Sequence, residues 1–240
     1  MPSLTLPDRL IWFAHCPKAG GTSIEQLMVA RWGDAVGHLY WGWDRWWQKG
    51  GWRVADPPNS PQHLVWRDAA RLLPRAPDRV FAVVRDPVAR MASEYRYQRG
   101  ARRGTWMGKA LARLPFSIWL RLMLALAERA PYAFDNHLRP QVDFMPEDAE
   151  VFHLEAGLRP VADWLSQATG TDPGAFSLPH ALPSGRPARV SAVDQALIAR
   201  IFARDYDRFA YPRPPASGGR LGAARLCAPV LAWLDRHGRL

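Results

Sequence analysis

A chain of 240 residues with 48% apolar and 22% charged residues suits one α/β domain with a substantial core and is too short for two full ones. Its 32 basic and 22 acidic residues leave a formal charge of +10, which admits nucleic acid, an anionic membrane surface or acidic small ligands as partners. Two cysteines, Cys16 and Cys227, form neither a disulfide framework nor a metal-like spacing, so a reducing compartment and no metal are expected.

Leu10-Ile11-Trp12-Phe13-Ala14 is a continuous apolar run, as in a strand covered on both faces. Pro17 stops it, and Gly20-Gly21 permit a tight turn and close approach of a ligand to the backbone. Ser23 with Gln26 fits a capping box for a helix that buries Ile24, Leu27 and Met28. Residues 33–62 are irregular and carry Trp41, Trp43, Trp46, Trp47 and Trp52, aromatics suited to stacking on sugars or to anchoring a long loop. Helical spacing follows over Leu64–Leu73, then a second buried strand, Val80–Val84. Asp86-Pro87 is a strong helix start, and that helix runs to about Gln98.

A further helix is expected over Trp106–Glu128; its apolar part, near Pro115–Ala127, is interrupted by Arg121 and too short to cross a bilayer. Val151–Leu154 reads as a third strand, Val161–Thr169 as a short helix stopped by Gly170, and Ser191–Tyr206 as a helix with Val193, Leu197, Ile201 and Phe202 inward. Pro-rich residues 212–219 form a linker, and Leu221–Leu234 an amphipathic helix. Strands alternating with helices predict a central parallel β-sheet flanked by helices, with the main domain at 1–211 and the linker and terminal helix at 212–240. Ligands of such sheets bind at the carboxyl ends of the strands.

Two segments lie at those ends. His15-Cys16-Pro17-Lys18-Ala19-Gly20-Gly21-Thr22-Ser23 and Arg85-Asp86-Pro87-Val88-Ala89-Arg90-Met91-Ala92-Ser93-Glu94-Tyr95 each place cationic and hydroxyl groups at a strand-to-helix junction, where backbone N–H groups and the helix dipole favour an anion. Two junctions suit a ligand with two separated phosphate-type groups. Lys18 precedes the glycines, so the first segment is not a Walker A loop.

These two segments resemble the motifs of sulfotransferases that use 3′-phosphoadenosine 5′-phosphosulfate (PAPS), most closely the carbohydrate branch, which reads roughly Pro-Lys-Thr-Ala-Gly-Thr-Ser and Arg-Asp-Pro-x-x-Arg-x-x-Ser-x-Tyr. The resemblance covers about residues 10–211 and implies a P-loop-type fold. It also implies that Pro17, Lys18, Ala19, Gly20, Gly21, Thr22 and Ser23 hold the 5′-phosphosulfate, with N–H groups of Ala19 to Thr22 as the cradle, and that Arg85 and Ser93 hold the 3′-phosphate. Ala19 stands where threonine is commoner, and Gly21 where another small residue is typical. Lys18 would stabilise charge that builds on the leaving phosphate. Arg90 is read as a phosphate contact or as an ion-pair partner of Asp86 or Glu94.

Removing the acceptor proton calls for a base, and histidine suits neutral pH. In related carbohydrate sulfotransferases a base histidine lies between the two motifs, which implies His63, with His38 in the same interval. Similar segments to Asp135-Asn136-His137-Leu138-Arg139-Pro140-Gln141 occur in this branch: His137 is read as bonding the sulfonate or the acceptor, Arg139 and Gln141 as binding acceptor or nucleotide, with an Asx-turn at Asp135-Asn136 as the structural alternative. The basic run Arg96, Arg99, Arg102, Arg103, Lys109, Arg113 reads as a solvated helix face or an anionic-acceptor surface. Glu155 and the Asp205–Tyr211 segment read as structural.

The expected activity is sulfonate transfer from PAPS, leaving PAP, to a hydroxyl of a carbohydrate or glycolipid, without nucleic acid and with no metal. A cytoplasmic, bacterial chain is expected, with peripheral contact at the inner membrane open and the oligomeric state unassigned. Two alternatives stay open: an ATP-dependent kinase-like enzyme, which lacks placed Mg²⁺ ligands, and a non-enzymatic binder of nucleic acid or anionic membrane, for which no recognised module is present.

Overall fold

The computed structural model of the chain describes residues 2–37, 61–72, 75–101, 113–130, 132–172 and 189–216. The apolar run Leu10–Ala14 is a strand (β2), buried at every residue and lying in the middle of a five-stranded sheet. The sheet also contains β1 (Ser3–Thr5), β3 (Val36–Gly37), β4 (Arg79–Val84) and β5 (Glu150–His153), in the order β3-β1-β2-β4-β5. β2, β4 and β5 are parallel, with Phe13 beside Phe81 and Val84 beside His153.

The sheet is not parallel throughout, which corrects the expected parallel arrangement. β1 pairs antiparallel with both β2 and β3. The turn from Leu6 to Arg9, closed by the Leu6 N–H donating to the Arg9 carbonyl at 2.9 Å, is too short for a crossover, so β2 must return beside β1 in the opposite sense.

The helices among the described residues are α1 (Gly21–Trp32), α2 (Trp66–Leu72), α3 (Pro87–Ala101), α4 (Phe116–Arg129), α5 (Arg159–Thr169), α6 (Ala192–Ile201) and α7 (Ala203–Phe209). α3 starts as expected: the Asp86 carboxylate accepts from the Ala89 N–H at 2.8 Å, and Pro87 takes the first helical position. α5 stops at Gly170, which is left-handed. α1 differs from expectation. It opens at Gly21 with left-handed Gly20 as its cap and no side-chain cap, so Ser23 already lies inside the first turn and no capping box forms there. The helix expected over 191–206 is broken at Phe202, and Ile201 faces solvent instead of the core. Part of the helix expected over 106–128, and the terminal helix at 221–234, fall outside the described residues.

Packing divides the chain into two compact units: one holds the segment up to Arg85 and the segment from Gln141, the other Asp86–Pro140 and α6–α7. In the first, Ile24, Leu27 and Met28 of α1 and Val161 and Leu165 of α5 share a core with Ile11, Phe13, Phe81 and Val83 of the sheet. In the second, Met91 and Tyr95 of α3 pack with Trp119 and Met123 of α4 and with Ile198 and Phe202. The second unit also ties α4 to α6. Buried Asp194 accepts from the Ser191 hydroxyl at 2.7 Å, from the Ser117 hydroxyl and from Arg121 at 2.5 Å. Burial alone would raise the Asp194 carboxyl, but these bonds outweigh it and hold it below the usual carboxylate range.

Candidate active site

The loop that leaves β2 is built to put backbone donors forward. Lys18 (φ 66°) and Gly20 (φ 86°) are both left-handed, a conformation that costs a lysine energy and a glycine nothing. These two reversals turn the chain straight into α1. The Ala19 N–H is drawn to the Cys16 carbonyl at 3.3 Å and Ser23 donates to Gly20 at 3.0 Å, while the N–H groups of Gly20, Gly21 and Thr22 make no intramolecular bond among the described residues. Three bare donors at the start of a twelve-residue helix, in a loop that also carries Lys18 and runs into Thr22 and Ser23, suit an anionic group. Pro17 and Ala19 are buried and hold the loop; Lys18 is half-buried and Thr22 exposed.

A side chain is disfavoured at both glycines, at Gly20 chiefly by its left-handed backbone and at Gly21 by overlap. A Cβ on Gly20 would meet Leu154 at 2.9 Å, and one on Gly21 would fall 1.8 Å from Nε2 of His15. The His15 imidazole therefore occupies the space that a larger residue at the head of α1 would need.

Arg85 follows the last residue of β4 and is half-buried. Its guanidinium donates to the Lys18 carbonyl at 3.4 Å, which ties the residue after β4 to the loop after β2. Gln141 is fully buried, and its side-chain amide brackets the Arg85 backbone. Oε1 accepts from the Arg85 N–H at 2.9 Å, and Nε2 donates to the Arg85 carbonyl at 2.9 Å. Gln141 was expected to touch nucleotide or acceptor directly; its amide is instead used on this strand end.

His63 ends a single tight turn, Pro61–His63, and is buried. Its ring meets that of His15 edge to face, 4.9 Å between centroids at 78°. Behind them lies an acidic residue that the sequence did not advertise. Glu25 Oε1 accepts from His15 Nδ1 at 2.9 Å and from Gln62 Nε2 at 2.9 Å, so His15 carries its hydrogen on Nδ1. Burial pushes the Glu25 carboxyl upward, yet the His15 and Gln62 bonds win and hold it below its ordinary value. Its other oxygen, Oε2, is buried without a hydrogen-bond partner.

In the second unit, Ser93 is half-buried on α3. The next residue, Glu94, is buried and fully used: Oε2 accepts from His137 Nδ1 at 2.7 Å and Oε1 from Gln98 at 2.7 Å. Gln98 in turn accepts from the Trp119 indole at 3.0 Å. His137 follows three consecutive left-handed residues, Phe134, Asp135 and Asn136. Arg90 is fully buried and donates to the carbonyls of His137 at 3.1 Å and Arg139 at 2.7 Å, with its guanidinium over the Phe202 ring. It therefore braces the 137–139 turn, a role neither sequence reading assigned. Arg139 donates to Asn136 and covers Tyr132.

A family profile described as "Sulfotransferase family" matches residues 2–156, more than half of the chain. The chain belongs to the sulfotransferase family. No curated protein and no solved structure matches it. The matched region of this sulfotransferase runs from β1 past β5, and so contains the Lys18 loop, Arg85, Ser93, His63 and the 135–141 segment. Membership establishes transfer of a sulfonate group as the general chemistry. The fold agrees: an α/β sheet, parallel at its centre, with both motifs at the carboxyl ends of parallel strands.

Glu25, Glu94 and Gln141 are the residues whose parts the sequence did not disclose. Glu155, read as structural, is exposed, while Asp205, Tyr206 and Phe209 are buried. His38, the five tryptophans of 41–52, and Arg102, Arg103 and Lys109 lie outside the described residues. No helix among the described residues is long and apolar enough to cross a membrane.

Proposed function

We propose that this sulfotransferase moves the sulfonate of PAPS to a hydroxyl of a carbohydrate or glycolipid by in-line displacement. The observation that carries the proposal is the reversed loop at Lys18 and Gly20, which leaves three N–H groups bare beside a lysine and an arginine. Gly20, Gly21 and Thr22 donate to the 5′-phosphosulfate, and Thr22 and Ser23 add hydroxyl bonds. Arg85 and Ser93 take the 3′-phosphate, the group that separates PAPS from simple adenylates. His63 receives the acceptor proton as the new S–O bond forms. The old S–O bond breaks toward the 5′-phosphate oxygen, whose growing charge Lys18 offsets. His137 is a second candidate base, favoured by the Glu94 bond that fixes its ring.

Two measurements on the full chain test the reading. Calorimetry should show PAP binding well over tenfold tighter than AMP, because charge-assisted bonds to the 3′-phosphate are worth roughly 2–4 kcal/mol. Single-turnover transfer from bound PAPS should fall about 10²–10⁴-fold in His63→Ala with PAP affinity retained. Equal affinities for PAP and AMP would remove the donor assignment. Near-wild-type turnover in His63→Ala, with loss in His137→Ala, would transfer the base to His137.

A further inference from the structure

Gln141 does something at Arg85 that few side chains can do. Beyond Val84, whose partner is His153, the β4–β5 ladder ends, and the Arg85 N–H and C=O would otherwise be left without a strand beside them. The Gln141 amide supplies one donor and one acceptor, each at 2.9 Å, in the place a neighbouring strand would fill. The residue is held from its other side as well, since the Cys16 thiol points at the Gln141 carbonyl, 3.8 Å away. Gln141 is thus bonded to the residues that follow both β2 and β4, fully buried, and pins the peptide from which the Arg85 guanidinium departs toward Lys18. Leucine would supply neither bond. Glutamate would set an oxygen against the Arg85 carbonyl, and asparagine is one methylene short.

We propose that Gln141 is a positioning residue for nucleotide selection: by clamping both backbone groups of Arg85 it fixes the direction of the guanidinium that distinguishes a 3′-phosphorylated nucleotide from one without that phosphate. This rests on the reading of Arg85 as the 3′-phosphate ligand. A residue that merely supports the fold would weaken binding of every nucleotide alike. A residue that aims Arg85 weakens only those that carry the 3′-phosphate.

The test is calorimetry of PAP and AMP on full-length wild type, Arg85→Ala, Gln141→Glu and Gln141→Leu. Wild type should prefer PAP, and Arg85→Ala should reduce that preference to a few-fold. Both Gln141 variants should cut the preference by about tenfold, the size of a charge-assisted bond lost or misaligned, with AMP affinity within about threefold of wild type. If Arg85→Ala loses the preference while the Gln141 variants keep it, the proposal is overturned and the Arg85 reading stands. If Arg85→Ala keeps the preference, the Arg85 reading falls and the proposal with it. A measurement on wild type covers the case in which neither variant folds: the side-chain NH₂ resonance of Gln141 should move on adding PAP and stay on adding AMP. The same response to both nucleotides would overturn the proposal.

Discussion

Each unit of this protein buries a histidine against a glutamate, and the two pairs are finished differently. His137 and Glu94 belong to a closed chain: both oxygens of Glu94 accept, and Gln98 passes the chain on to Trp119. His15 and Glu25 form an open one. Oε1 of Glu25 takes two donors while Oε2 takes none, and the imidazole is wedged against a glycine that cannot be enlarged. A satisfied buried network makes a rigid and costly-to-break element of the core. An incomplete one, set directly behind a loop that presents bare N–H groups, is a place where the protein accepts poor local energetics. Such exceptions concentrate at sites that act on ligands.

Four substitutions sharpen this contrast, each read by denaturant unfolding. Gly21→Ala should be the most damaging, at about 3 kcal/mol, the upper end for overpacking, because its methyl would overlap the His15 ring and only a shift of the pair or of α1 relieves it. A loss below 1 kcal/mol would mean that the imidazole swings aside freely and the wedge is not tight.

Glu94→Gln comes next. Its NH₂ must face either His137 or Gln98, both donors there, at a cost of about 2 kcal/mol for the group left unsatisfied. Glu25→Gln should be milder, about 1 kcal/mol at neutral pH, since its NH₂ can take the side that already lacks a partner while its oxygen still accepts from His15 and Gln62. Equal losses at Glu25 and Glu94 would erase the distinction between open and closed pairs. Glu25→Gln also carries an expected pH dependence. The folded Glu25 carboxyl is held below its ordinary 4.5, so its contribution is present above that pH and fades as pH falls through the folded value. The gap between wild type and Glu25→Gln should therefore narrow below pH 4.5.

Gly100→Ala, on the helix that carries Glu94, gives the smallest effect and the opposite sign. A Cβ there meets nothing within 4 Å, so helix propensity should add about 0.5 kcal/mol. Destabilisation at Gly100 would show that the end of α3 is held by something other than its own propensity.

The parts of this architecture that were legible in the sequence are those written in consecutive residues. Leu10–Ala14 is bounded as expected, and Asp86-Pro87 and Gly170 mark their helix ends by local chemistry. β1 and β3 were missed because three and two residues show no periodicity, and only pairing makes them strands. Both acidic partners were missed for a related reason. Nothing near Glu25 or Glu94 says that a histidine 10 or 43 residues away will bond it, and the sequence offered Glu94 only an arginine, Arg90, as a partner. Gln141 was noticed, but its spacing carries no hint that it serves a backbone rather than a ligand. The loop itself was legible in composition, whereas the left-handed turn at Lys18 was not, since lysine is not a residue that announces one.

The first unit is interrupted: Arg79–Val84 needs Glu150–His153 as its neighbour, and the whole of Asp86–Pro140 is synthesised between them. On a ribosome adding about 5–20 residues per second, the far edge of β4 waits roughly 3–14 s for the intervening stretch of about 70 residues to emerge. During that interval an apolar strand with Phe81 and Val83 presents open hydrogen-bonding groups, the usual template for joining the wrong chain. Nascent chains of this sulfotransferase are thus most vulnerable before β5 is made, and the speed at which Asp86–Pro140 is translated and compacts sets how long that exposure lasts.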